Sequence, residues 1–175
     1  KINHAVQIED YVLSNKGNLF AMVSPYSFKI EEDWSLSPNK NTNMVEILEN
    51  WGVKFRPSFG ADISCARITM MSDDSQTKVL NYPYWVNILP QENSKFGMTI
   101  FWPTELELSQ NATPFLVSSP SAQSIPLDSF QANPFIVQES DFSEYKRGTK
   151  ILCANISGEL NGLFTTNSTN NSNII

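Results

Sequence analysis

Histidine is nearly missing from this sequence: His4 is the one copy in 175 residues. Imidazole is the commonest general base, so a Ser-His-Asp or Cys-His mechanism would have to rest on a residue in the first turn of the first expected helix. No Gly-x-Ser-x-Gly elbow accompanies it, and His4 is expected to lie exposed. The two cysteines, Cys65 and Cys153, are far apart and belong to no Cys-x-x-Cys or Cys/His cluster, which argues against zinc. They are expected as two buried thiols, with a disulfide left open for an oxidising compartment. The seven glycines are scattered at 17, 52, 60, 97, 148, 158 and 162 and form no phosphate-cradling motif, so no nucleotide or other cofactor is expected. Basic charge is short as well. Twelve Lys and Arg face 18 Asp and Glu, for a net charge of −6, which speaks against nucleic-acid binding and against a polybasic membrane patch. No apolar run approaches the roughly 18–20 residues that span a bilayer. Lys1–Asp10 holds no secretory h-region, and the chain opens without Met, so it reads as an excised piece of a longer protein.

The remaining reactive groups form three sets. Asp73, Asp74 and Ser75 offer oxygen ligands but lack the spacing of a calcium loop, and are expected in a solvated turn. Glu105 and Glu107, two apart on a strand, share one face. A carboxylate pair is what glycoside hydrolysis needs, but nothing nearby would split their acidities, and a charged solvent face is expected. Glu31-Glu32-Asp33 is an acidic run of the same kind.

What is present is a folding chain, since 41% of its residues are apolar. Ala5, Ile8, Val12 and Leu13 recur at helical spacing and predict a helix over about 3–14, with Gly17 suited to the left-handed position after it. Leu19-Phe20-Ala21-Met22-Val23 is apolar on both sides and predicts a strand covered on both faces, as in a parallel sheet. Residues 26–40 read as an exposed loop. Asn43 and Glu46 resemble a capping box, with Met44, Ile47, Leu48 and Trp51 as the apolar stripe and Gly52 as the stop. Strands are expected at 53–55, 61–70, 79–89, 98–108, 115–117 and 151–156, a polar turn at 71–78 and a short turn at 141–146. Residues 165–175 read as a polar, disordered tail or linker, leaving one α/β domain over 1–164.

The order of landmarks resembles the gliding-motility ABC-transporter auxiliary family, with its GldG-like extracytoplasmic domain. Tyr11-Val12-Leu13, then Lys16-Gly17 and Leu19–Val23 with Ser24-Pro25, match that family's helix, Gly-Gly turn, strand and Asp-Pro. Lys16 replaces the first Gly and Ser24 the Asp. Leu48-Glu49-Asn50-Trp51-Gly52-Val53 matches its helix end, with Asp62 following. Tyr82–Trp85, Pro114–Pro120 and Ile151–Gly158 match the later phrases. The resemblance spans about residues 5–164. It implies a partial flavodoxin-like or amidotransferase-like α/β sheet, related to a domain of intraflagellar transport proteins and without the first βα units, to which the residues themselves add a strand-rich second half. It also implies a periplasmic location, a membrane-anchored parent, and ABC permease or ATPase subunits or cell-envelope proteins as partners. No catalytic residue comes with it.

The scarcity of reactive groups and the resemblance converge on a non-catalytic binding domain. Ligands of open α/β sheets bind beyond the carboxyl ends of strands, which singles out Ser24 and Tyr26 after one expected strand and Ser118 and Ser119 after another. Tyr84, Trp85 and Trp102, from Tyr82-Pro83-Tyr84-Trp85 and Phe101-Trp102-Pro103, would suit either a core or a surface that stacks on sugar or anchors a protein. Two alternatives stand beside this reading. One is a serine hydrolase without a histidine base, using Ser118 or Ser119; the other is a carbohydrate-binding module on Tyr84, Trp85 and Trp102.

Overall fold

The computed structural model describes residues 2–32, 34–39, 43–71, 76–88, 97–109, 111–137, 145–165 and 170–174. Asp73–Ser75, Asp33 and most of the expected turn at 141–146 lie outside them. Helices and sheets are mixed, and strands predominate. Helix α1 is Ile2–Leu13 and α2 is Asn43–Asn50. The strands are β1 (Tyr26–Lys29), β2 (Ser35–Pro38), β3 (Val53–Ala61), β4 (Cys65–Met71), β5 (Thr77–Ile88), β6 (Met98–Phe101), β7 (Thr104–Leu108), β8 (Ala112–Val117), β9 (Gln123–Pro126), β10 (Ile151–Leu160) and β11 (Asn170–Ile174). They pair as a β1-β2 hairpin and three three-stranded sheets ordered β11-β10-β8, β7-β3-β9 and β4-β5-β6.

Every ladder between these strands is antiparallel. The parallel sheet expected around Leu19–Val23 is therefore corrected. That segment forms no strand; Phe20 and Met22 point outward, 68% and 87% exposed, while Leu19 and Val23 pack on the helical core. A continuous apolar run does not distinguish a strand covered on both sides from one that lies across a core with half its side chains in water. The left-handed residue after α1 is Lys16 (φ 53°), not Gly17. Gly17 instead lies against the Tyr11 ring, and a Cβ there would push that half-exposed ring aside.

Prolines divide the strands. Pro57 lies where the β3–β7 register shifts, between Phe55 and Phe59. Pro83 lies inside the β4–β5 irregularity, between Arg67↔Asn81 and Cys65↔Val86. A residue without an N–H cannot complete a ladder, so a bulge forms where it sits. Trp102-Pro103 divides the expected strand 98–108 into β6 and β7, which join different sheets. Residues 26–40, expected as a loop, contain the β1-β2 hairpin: Tyr26 and Phe28 alternate inward and pack on Phe59. At the other end, 170–174 pairs with β10 as β11, because ladder bonds come from the backbone whatever the side chains, while 166–169 and 175 of the expected tail lie outside the described residues.

Three apolar clusters result. The first joins α1 and α2 to β3, β7 and β10 through Val12, Leu13, Ile47, Trp51, Val53, Leu106 and Ile156. The second is aromatic, built on Phe59, Tyr82, Tyr84 and Ile125 and covered by the β1-β2 hairpin. The third is small, with Val86, Ile88 and Leu152 at its centre. Cys65 and Cys153 sit on different sheets as separate half-buried thiols, and burial pushes the Cys153 thiol up against the opposing pull of the Ala154 N–H.

Candidate functional site

The fold brings Tyr26, Tyr84, Trp85 and Trp102 into one ring cluster. Phe28 lies 5.6 Å from Phe59 and 4.9 Å from Trp102, Tyr26 lies 5.6 Å from Phe59, and Trp85 lies 5.9 Å from Trp102 in an edge-to-face pair. Tyr84 is 2% exposed and packs on Phe130, so its ring belongs to the core. Trp85 and Trp102 are half-buried, and Phe101 stands outside them, 57% exposed and 4.6 Å from Trp85.

Polar tips lock this cluster. Trp102 Nε1 donates to the Tyr82 hydroxyl at 2.9 Å, and that hydroxyl donates to the Ala132 carbonyl at 2.5 Å. Burial pushes the Tyr82 phenol up to about 12, against the opposing effect of the Trp102 N–H. Trp102 holds a left-handed backbone (φ 46°), uncommon for a bulky side chain and sustained here by its N–H bond to the Tyr84 carbonyl. Trp85 Nε1 is a buried donor that meets no acceptor among the described residues. Ser24 is exposed and caps its own turn: its hydroxyl donates to the Tyr26 carbonyl at 2.6 Å and accepts the Tyr26 N–H at 3.3 Å.

Ser118 and Ser119 are placed differently. They are 5% and 7% exposed, and both hydroxyls are engaged. The Ser119 hydroxyl donates to Asp62 Oδ1 at 2.7 Å and accepts the Ser121 N–H at 3.1 Å, while the Ser119 N–H donates to Asp62 Oδ2 at 2.8 Å. Asp62 also accepts the Ser64 N–H, and its own N–H reaches the Pro83 carbonyl. Ser118 donates to the Ser119 carbonyl and accepts the Lys150 N–H at 2.8 Å. The pair and Asp62 thus tie the end of β3 to β5 and to the β8–β9 connection. No sequence signal marked Asp62 for this role beyond its place in the family pattern.

The carboxylates are likewise taken up by the fold. Glu105 and Glu107 do share a face, and Arg56 lies 3.9 Å from one and 3.5 Å from the other. Glu105, expected at a solvent face, is instead buried and accepts the Ser58 and Ser124 hydroxyls at 3.2 and 2.5 Å. The reason is β9, a strand not anticipated from sequence, which pairs with β3 and brings Ser124 over it. Glu31 and Glu32 are exposed, and Lys29 pairs with Glu32 at 2.9 Å. His4 is exposed. Among the described residues no three His, Cys, Asp or Glu side chains group to hold a metal, and no helix is long and apolar enough to cross a membrane.

The residues define a strand-rich domain of mixed helices and sheets whose polar side chains mostly close its own joints and whose half-open feature is an aromatic edge. The chain belongs to the family described as an ABC-type uncharacterized transport system, whose model matches residues 3–175. No curated protein and no solved structure matches it.

Proposed function

We propose that these residues form a non-catalytic, extracytoplasmic auxiliary domain of a bacterial ABC-type transport system of the gliding-motility kind. It works by contact with the permease or ATPase subunits or with cell-envelope proteins, and its parent is held at the cytoplasmic membrane by segments outside these residues. The family match over 3–175 carries the reading. The flavodoxin-like sheet implied by the resemblance has no counterpart among the antiparallel ladders of the described residues.

The partner surface is the open edge of the aromatic cluster: Ser24, Tyr26, Trp85 and Trp102, with Phe101 outermost. Aromatic side chains give large contact area at little cost in rotamer freedom, which suits a protein anchor. The serine-hydrolase alternative is disfavoured by the engagement of both hydroxyls, since a nucleophile at 118 or 119 would first have to leave Asp62 or Lys150. The carbohydrate alternative is disfavoured by the burial of Tyr84 and the packing of Trp85 and Trp102 on other rings.

Photocrosslinking from positions 26 and 101 in cells that make the full parent tests the proposal. The expected adducts are ABC subunits or envelope proteins, and an epitope placed beside the domain should be digested by protease added to spheroplasts. Adducts confined to cytosolic proteins, with the epitope protected, would overturn it.

A further inference from the structure

Glu9 on α1 is completely buried, yet its partners are not cationic. Its Oε1 accepts the Leu163 N–H at 2.7 Å, and its Oε2 accepts the Phe164 N–H at 2.7 Å, the Thr165 N–H at 3.0 Å and the Thr165 hydroxyl at 3.3 Å. Three successive amides aimed at one carboxylate form an anion nest, and charge-assisted bonds of this kind are about twice as strong as neutral ones. From α2, Asn50 Nδ2 and from its end Trp51 Nε1 both donate to the Asn161 carbonyl, at 2.8 and 3.0 Å. The two helices therefore grip residues 161–165 with three side chains. Leu160, the last residue of β10, pairs with Asn170, the first of β11.

The β11 sequence is Asn-Asn-Ser-Asn-Ile. Polar residues of this kind are depleted in strands, and a strand of this composition carries little apolar surface to hold it in place. Its ladder to β10 needs support from outside itself. We propose that 161–165 and β11 form a strap on the domain, latched by the Glu9 carboxylate in the amide nest. With the latch closed, β11 covers the edge of β10 from Ile156 to Leu160. With the latch open, that edge is bare while the rest of the domain keeps its structure.

Residue-resolved hydrogen exchange on the 175-residue chain tests the latch, comparing the unaltered protein with Glu9→Gln and Glu9→Ala. Gln keeps the size of the side chain but turns one acceptor into a donor facing N–H groups. Glu9→Gln should speed exchange at 163–165 and at the ladder amides of 170–174 by roughly tenfold or more, while β3, β5 and β7 stay within about twofold. Glu9→Ala should give the same local pattern, more strongly. Unchanged exchange at 163–165 and 170–174 in both variants would overturn the latch. Equal acceleration across β3, β5 and β7 in Glu9→Gln would also overturn it, because Glu9 would then support the whole domain.

Discussion

Single side chains in this protein differ most in whether their polar atoms are matched. Asp62 is 2% exposed and satisfies three donors from Ser64 and Ser119. Asp62→Ala leaves buried N–H groups without acceptors, and a loss of about 3 kcal/mol or more is expected in urea unfolding. Trp85 is the converse case, since its buried Nε1 meets no acceptor among the described residues. Trp85→Phe should cost within about 1 kcal/mol, whereas Trp102→Phe, which removes the donor to Tyr82, should cost more; the same unfolding assay ranks them. Tyr82 sets a pH limit. Its phenol is raised to about 12 in the fold, above the ordinary value of 10.0, so its contribution is intact below pH 10 and is lost as pH rises toward 12. A late tyrosinate absorbance step near pH 12, missing in Tyr82→Phe, is the expected signature, with a stability loss on the order of 2 kcal/mol across that window.

At the scale of elements, the joint between α2 and β3 is the most constrained. Trp51 is fully buried beneath the helices, and Gly52 follows with φ +103°. A side chain at 52 would be strained by that backbone and would meet Ser109 Oγ at 2.7 Å. Gly52→Ala should therefore destabilise by about 1–3 kcal/mol, and Trp51→Ala by about 3–5 kcal/mol through the cavity it leaves, both readable as a lower thermal midpoint. Trp51→Phe should cost less, since Asn50 still donates to the Asn161 carbonyl.

For the whole molecule, three small antiparallel sheets and a hairpin are joined by side-chain knots instead of one continuous sheet. Glu9, Asp62 and Glu105 each bridge segments distant in sequence: residues 163–165, Ser119, and Ser58 with Ser124. What remains half-open is the aromatic edge at Trp85, Phe101 and Trp102. Replacing Phe101 by Ser should leave stability within about 0.5 kcal/mol, because the residue is exposed, but should abolish crosslinking from position 26 to the transport partner. Loss of stability without loss of crosslinking would assign Phe101 to packing instead.

Local order along the chain was settled by sequence alone. The spacing of Ala5, Ile8, Val12 and Leu13 yields α1, the stripe ending at Trp51 yields α2, and strands were legible at β3, β4, β5, β8 and β10 because periodicity and β-branched or aromatic content act over a few neighbours. The order of landmarks, again a property of sequence, was enough for the family. Tertiary structure decided the direction of pairing, the exposure of Phe20 and Met22, and the burial of Ser118, Ser119 and Glu105. It also supplied β1, β2, β9 and β11, which are only four or five residues long, too short for their patterns to stand out along the chain. Those outcomes depend on which distant segment lies alongside: Ser124 reaches Glu105 only because β9 pairs with β3, and Ser119 meets Asp62 across 57 positions of chain. A side chain's fate follows from its neighbours in space, and in a protein built of non-local antiparallel ladders those neighbours are far away in sequence.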